Sequence, residues 1–208
     1  MAAKKPRAAE PVSHLTFHAL TPQRWPDFER LFGSNGACGG CWCMWWRVPR
    51  AQYRSDVGAV NREAFRALVA SGAEPGVLGY AQGQPHREAV AWCAVAPREA
   101  YPTLERSRML KGLDATPPEG LWSVTCLFIH RHWRGQGLTR PLVEAAVAHA
   151  AARGARTVEG YPIDTPRELW VPERFTGPLS TFRATGFREV ARRSPTRPIL
   201  RRTLPGPH

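Results

Sequence analysis

No run of this 208-residue chain stays apolar long enough to cross a bilayer. The opening residues, MAAKKPRAAEP, are charged and lack the apolar core of a secretory signal. A cytoplasmic protein without membrane contact is therefore expected. Residues 1–13 read as a disordered tail and residues 14–208 as one folded domain, because no linker divides them and no segment repeats. Neither a GxxxxGK[ST] phosphate loop nor a GxGxxG dinucleotide fingerprint is present, which excludes both of those nucleotide sites.

Acidic residues are scarce: 17 Asp and Glu stand against 29 Lys and Arg, for a net charge of +12. Such an excess invites nucleic acid, yet no reader motif accompanies it, so nucleic-acid binding is not expected. Much of the positive charge lies in the N-terminal tail and in residues 183–202. The five cysteines are an odd count. Cys38, Cys41 and Cys43 form C-x2-C-x-C, a spacing that suits zinc, but no second CxxC pair follows. A fourth ligand would have to be Cys93, Cys126 or a distant His. We assign no metal and read the thiols as reduced and mostly buried.

The hydrophobic content of 43% suits a globular chain with a sizeable core. Its most informative stretch is LWSVTCLFIHRHWRGQGLTRPLVEAAVAHAAA, residues 121–152. Leu121–Ile129 reads as a strand, with Trp122, Val124, Cys126 and Phe128 on one face and Ser123, Thr125, Leu127 and Ile129 on the other. A basic turn with Gly135 and Gly137 follows. A helix then carries Leu138, Leu142, Val143, Ala146, Val147 and Ala150 at helical spacing, with Pro141 tolerated in its first turn. A strand that passes through glycines into a helix aims backbone N–H groups at one point, which favours an anion. Arg131 and Arg134 add positive charge there.

This turn resembles the coenzyme A loop of the GCN5-related N-acetyltransferases, the GNAT family. The family pattern is [Q/R]-x-x-G-x-[G/A] after a hydrophobic strand. Arg134, Gly135, Gln136, Gly137, Leu138 and Thr139 occupy it here, with Thr139 in place of a final Gly or Ala. The resemblance implies an α/β GNAT fold, a mixed central sheet flanked by helices with splayed central strands. It also implies acetyl-CoA as co-substrate, with pantetheine paired to the backbone of Leu127, Phe128 and Ile129. Positive charge then serves the CoA phosphates as readily as nucleic acid. The implied activity is acetyl transfer to a primary amine, most simply of a small molecule, by direct attack. A protein or tRNA acceptor and a non-catalytic CoA- or ligand-binding module remain alternatives, and a homodimer stays open.

A second stretch, CWCMWWR, resembles a segment of one bacterial GNAT subgroup. In the family this region lines the acceptor side, so Trp42, Trp45 and Trp46 would form a substrate surface and Arg47 would pair with an acidic group. Aromatic density of this kind equally suits core. Many members carry a general acid, a Tyr, where this chain has Phe182. Tyr161 is the expected substitute, with Ser180 or water behind it. Glu159, a carboxylate within a central strand, is the expected base; its alternative is an ion pair with a core-facing Arg, and Asp164 or a water relay would then serve. Cys126 would matter only in a ping-pong route. His130 and His132 flank the turn as phosphate neighbours rather than catalysts.

The remaining pattern predicts a strand over 15–20, then a helix opened by Thr21 and Pro22 with Trp25, Phe28, Leu31 and Phe32 inward. A loop over 33–40 follows. A second helix over 56–69 would bury Val57, Val60, Ala64, Phe65, Leu68 and Val69. Strands over 76–80 and 88–96 would join through a turn at 82–84. A loop over 99–120 follows. Later come a strand over 156–161, a Pro-rich loop over 164–179 anchored by Trp170 and Phe175, a helix over 180–185, and strands over 187–191 and 199–203.

Overall fold

A computed structural model describes residues 15–81, 88–114, 118–165 and 175–205. The expected tail, the 82–84 turn and Trp170 lie outside the described residues. Seven strands form one mixed sheet: β1 (Leu15–Ala19), β2 (Gly76–Ala81), β3 (Ala89–Pro97), β4 (Leu121–Ile129), β5 (Thr157–Gly160), β6 (Arg188–Arg192) and β7 (Pro198–Thr203). Their order is β1-β2-β3-β4-β5-β7-β6. Only β4 and β5 run parallel; every other neighbouring pair is antiparallel. The helices are α1 (Trp25–Phe32), α2 (Arg50–Ser55), α3 (Ala59–Ala70), α4 (Pro102–Glu105), α5 (Thr139–Ala151) and α6 (Leu179–Ala184). No described helix is long and apolar enough to cross a membrane.

Each sheet face carries its own core. On one face Leu142, Val143, Ala146, Val147 and Ala150 of α5 pack with Val77, Val95, Val124 and Val158. The small residues of α5 let it approach the strands closely, and the chain leaves the helix at Gly154, which takes φ +83°. On the other face α1 and α3 build an aromatic core. Phe28, Phe65 and Trp92 lie within 6.1 Å of one another by ring centroids, and Trp92 meets both phenylalanines edge to face.

Two expectations change on this scaffold. The predicted helix over 56–69 begins later, as α3 at Ala59 behind a turn at Gly58 (φ +88°), and a separate short helix, α2, precedes it. Only Asn61, Phe65 and Val69 of α3 are buried, whereas Val57 and Val60 face solvent. The buried face follows the 61–65–69 row, Asn61 included, and not the valines at its start. In β4 the strict alternation of faces also fails. Ala94 pairs with Cys126, yet Val95 pairs with Val124, so Thr125 is an extra residue opposite β3. This bulge swaps the faces. Trp122 and Val124 join Leu127 in the α5 core, while Cys126 and Phe128 turn to the aromatic core.

β4 outlasts its parallel partner. The two strands pair only from Leu121–Thr157 to Val124–Gly160. Pro162, just past β5, has no amide to continue the ladder. The remaining residues of β4, up to Ile129, therefore run on with no described strand along that edge, which is the splay implied by the family resemblance.

His149, on the inner face of α5, is buried and sits 3.1 Å by Nε2 from the Glu74 carbonyl. Burial lowers its pKa from 6.5 to about 4. A depressed histidine makes the folded state bind fewer protons than the unfolded one below pH 6.5. Stability is thus complete above that value and falls as pH drops toward about 4. We expect about 1 kcal/mol of loss per pH unit across this window, and a flatter profile in His149→Gln, read from urea midpoints at each pH.

Candidate active site

The β4 bulge lies beneath a cavity of about 1220 Å³. Ala94, Thr125 and Cys126 contribute to its lining from the sheet. Trp45, Trp46 and Tyr53 contribute from one segment, Ser107, Met109 and Leu110 from another, and Ile163 and Phe175 from a third.

The aromatic wall is delivered by a strained segment. Ala37, Trp42 and Cys43 take φ of +65°, +33° and +57°, a region that costs a non-glycine residue about 1–3 kcal/mol. Packing holds them there. Trp42 stacks on Phe32 with centroids 5.7 Å apart, and a Cβ at Gly36 would lie only 2.4 Å from its indole. Cys43 Sγ accepts a 2.7 Å bond from the Trp92 indole. With Trp42 fixed in the core, Trp45 and Trp46 emerge into the cavity. The expected substrate surface thus divides: Trp45 and Trp46 line the cavity, and Trp42 is core. Arg47 does not line it either. Its guanidinium lies over the Tyr101 ring at 4.6 Å and donates to Tyr101 Oη at 3.3 Å.

Glu159 and Tyr161 come together as their shared strand face implies, but neither lines the cavity. Glu159 is 1% exposed and lies between two arginines. Arg98 Nη1 is 2.8 Å from Oε2, and Arg201 Nε is 2.8 Å from Oε1. Tyr161 Oη donates to Glu159 Oε2 at 2.7 Å. Its oxygen therefore accepts from Ser123 Oγ at 2.8 Å and also from Arg98. Burial first, then the Glu159 charge, pushes the Tyr161 hydroxyl well above its ordinary range. A carboxylate saturated by two guanidinium groups and a phenol acts as a strut. Phe182, at the family's Tyr position, is wholly buried on Gly160, where a Cβ would come within 2.2 Å of its ring.

Arg98 carries the strut to the cavity wall. It binds Glu105 Oε1 at 2.9 Å and the Leu110 carbonyl at 3.1 Å, so the segment that supplies Ser107, Met109 and Leu110 hangs from it. No described Asp, Glu or His lines the cavity. Burial raises both the Cys41 thiol and the Tyr53 hydroxyl to about 12, which leaves them protonated near neutrality. Burial also raises Cys43, whose thiol meets that of Cys126. Among the described residues no three His, Cys, Asp or Glu side chains are placed to hold a metal.

At the far end of β4, His130 N donates to the Val90 carbonyl at 2.9 Å. By alternation Phe128 also turns its backbone groups to β3, and Leu127 and Ile129 turn theirs to the open edge. Arg134 Nε donates to the Ile129 carbonyl there at 2.9 Å. Gly135 and Gly137 follow with φ of +77° and +73°. From Gly135 to Leu138 no amide donates to a described backbone carbonyl. Gln136 Nε2 donates to the His132 carbonyl at 3.2 Å, and its buried Oε1 is unpartnered. α5 starts at Thr139 without a side-chain cap. His130 and His132 lie edge to face beside this turn, and burial lowers the His130 pKa.

Sequence reasoning missed the bulge, the Arg98 strut and the short helix α2. Arg98 follows Pro97 in an ordinary-looking loop start, and nothing local marks it as buried.

A family model for GNAT acetyltransferases matches residues 40–162, and the chain belongs to that family. Solved structures share the fold at low identity. A GCN5-related N-acetyltransferase from Kribbella flavida is 15% identical, with 91% of this chain and 98% of that one covered and a TM-score of 0.52. A phosphinothricin acetyltransferase from Sinorhizobium meliloti, solved with AcCoA, is 14% identical over 91% and 88%, at 0.52. A PaiA N-acetyltransferase from Thermoplasma acidophilum, solved with coenzyme A, is 9% identical over 92% and 99%, at 0.50. No curated protein matches the chain.

Removing Arg98 leaves the buried Glu159 charge short of a partner. We expect Arg98→Ala to lower stability by about 3–5 kcal/mol in urea denaturation and to speed amide exchange across residues 105–112. An unchanged midpoint would contradict the strut.

Proposed function

We propose that this protein is an acetyl-CoA-dependent N-acetyltransferase that modifies a primary amine of a small molecule in a ternary complex. One observation carries the reading. The edge of β4 left without a described strand leads from the bulge at the cavity to Ile129, whose carbonyl Arg134 takes, and the basic turn carries it on to the uncapped start of α5.

The residues along that edge fit the co-substrate. Amides of Gly135, Gln136, Gly137 and Leu138 point to no described carbonyl, Gly135 and Gly137 leave the approach free of Cβ atoms, and Arg134 adds charge. That is the chemistry a pyrophosphate requires. Thr139 opens the helix and leaves these donors in place. Leu127 and Ile129 offer alternate backbone groups to an extended amide chain such as pantetheine. Bound acetyl-CoA supplies an activated carbonyl with a thiol leaving group. The Leu127 amide, the first open-edge donor beyond the bulge, is suited to polarise that carbonyl.

The cavity then receives the acceptor. Trp45 and Trp46 offer flat apolar surface, and Thr125 and Cys126 meet the acceptor at the sheet. With no described carboxylate or imidazole lining the cavity, the ammonium proton leaves through water. Glu159 and Tyr161 serve as positioning residues: through Arg98 they hold the 98–112 segment against β5. A large, partly aromatic cavity favours a small molecule over a macromolecular acceptor.

Calorimetry with acetyl-CoA and free-thiol release against a panel of amines test the reading on one sample. Gly137→Val forces a β-branched residue into φ +73°, where the turn has to move. It should weaken acetyl-CoA binding by at least about tenfold with the fold retained by circular dichroism. Unaltered affinity would remove the turn from the site.

A further inference from the structure

The charge of the cavity specifies the acceptor more closely than the word amine does. Arg50, Arg106 and Arg197 line it, and no described Asp or Glu does; Arg197 donates to Thr176 Oγ1 at 3.1 Å. The Arg50 and Arg106 side chains are both exposed at the cavity, and neither forms an ion pair with a described residue.

The two come from segments that are stitched together. Thr103 Oγ1 donates to the Val48 carbonyl at 2.8 Å, and Thr103 N donates to the Trp46 carbonyl at 3.3 Å. Arg50 opens α2 just beyond that seam, and Arg106 follows α4 on its other side. Arg50 is also held in one orientation. Its guanidinium carbon lies 3.5 Å from the centre of the Trp45 ring. Stacking occupies the guanidinium face and leaves its in-plane N–H groups directed outward, the arrangement that pairs with a planar or tetrahedral oxyanion. Partial burial and the nearby Arg54 both act against its charge, so an arriving anion relieves a cost already present.

A simple alkylamine or polyamine is a cation in water and gains nothing from such walls. We propose that the acceptor is an amine that also carries an anionic group, a carboxylate, phosphinate or phosphonate, and that Arg50 and Arg106 are its recognition pair. This rests on the acetyltransferase reading above. The anion anchors the molecule on the Trp45 side and leaves its amine free to reach the bulge at Thr125. The positive walls also favour the neutral, nucleophilic form of that amine, in a cavity with no described base.

The test uses the full chain and matched twins. Each α-amino acid is set against its primary amide and its decarboxylated amine, and aminoalkylphosphonates against alkylamines, with thiol release as the readout. We expect kcat/KM for the anionic twin to exceed its neutral or cationic counterpart by about 10- to 100-fold, the range of one or two charge-assisted bonds. Arg50→Gln and Arg106→Gln should erase most of that ratio through KM and leave acetyl-CoA affinity unchanged. A second arm needs no turnover. Quenching of Trp45 and Trp46 fluorescence is titrated with N-acetyl amino acids and with their amides, where the anionic member should bind at least about tenfold tighter. Preference for the neutral or cationic twin, equal losses for both twins in the Arg variants, or no discrimination in both arms overturns the proposal. Failure to bind acetyl-CoA on the same sample is a separate result, and it would count against the acetyltransferase reading instead.

Discussion

A strand in the middle of a sheet has two edges to satisfy, and β4 satisfies one of them only halfway. Up to Val124 it is paired on both sides; beyond that, β5 has ended and Pro162 blocks its extension. An unpaired edge inside a fold is costly unless something completes it. Arg134 takes one carbonyl, and no described strand pairs with the rest of the edge. The position of the cavity, the basic turn and the uncapped helix all follow from where these two strands separate.

The separation is held from both sides of the sheet. On one, Phe182 lies against Gly160, where no larger residue would fit. On the other, the Glu159 carboxylate is fixed by Arg98, Arg201 and Tyr161 at the last paired residues of β5. A buried ion pair of this kind seldom adds net stability over apolar packing, but it is strongly directional. Here it joins three distant segments, β5, β7 and residues 98–110, at fixed angles. An apolar replacement would fill the space without specifying where the cavity wall hangs.

Much of this was legible in the sequence. The strand–turn–helix of residues 121–152 carries its own periodicities and glycines, and the buried positions on α5 are the expected ones with His149 added. The Trp-rich segment was ambiguous between core and pocket because the answer changes from one residue to the next: Trp42 is core and Trp45 is wall. Bulges leave no local mark, so the side reversal at Thr125 was hidden. Glu159 stood open between a base and an ion pair because a lone carboxylate in a central strand has both readings, and the arginines it pairs with lie 61 and 42 residues away in sequence. Long-range pairing of this sort cannot be read from spacing. The predicted helix over 56–69 is present from Ala59, but Val57 precedes it in the turn at Gly58 and Val60 lies on its exposed face, so neither joins the core.

The central claim is that the open edge of β4 and the turn beyond it form the coenzyme A groove. Amide hydrogen exchange, resolved by residue with and without coenzyme A, tests it most directly. The account predicts slower exchange at Leu127, Ile129 and Gly135 to Leu138, with β1 and β6 unchanged. Coenzyme A binding that leaves those amides unprotected, or protects a different surface, would contradict it.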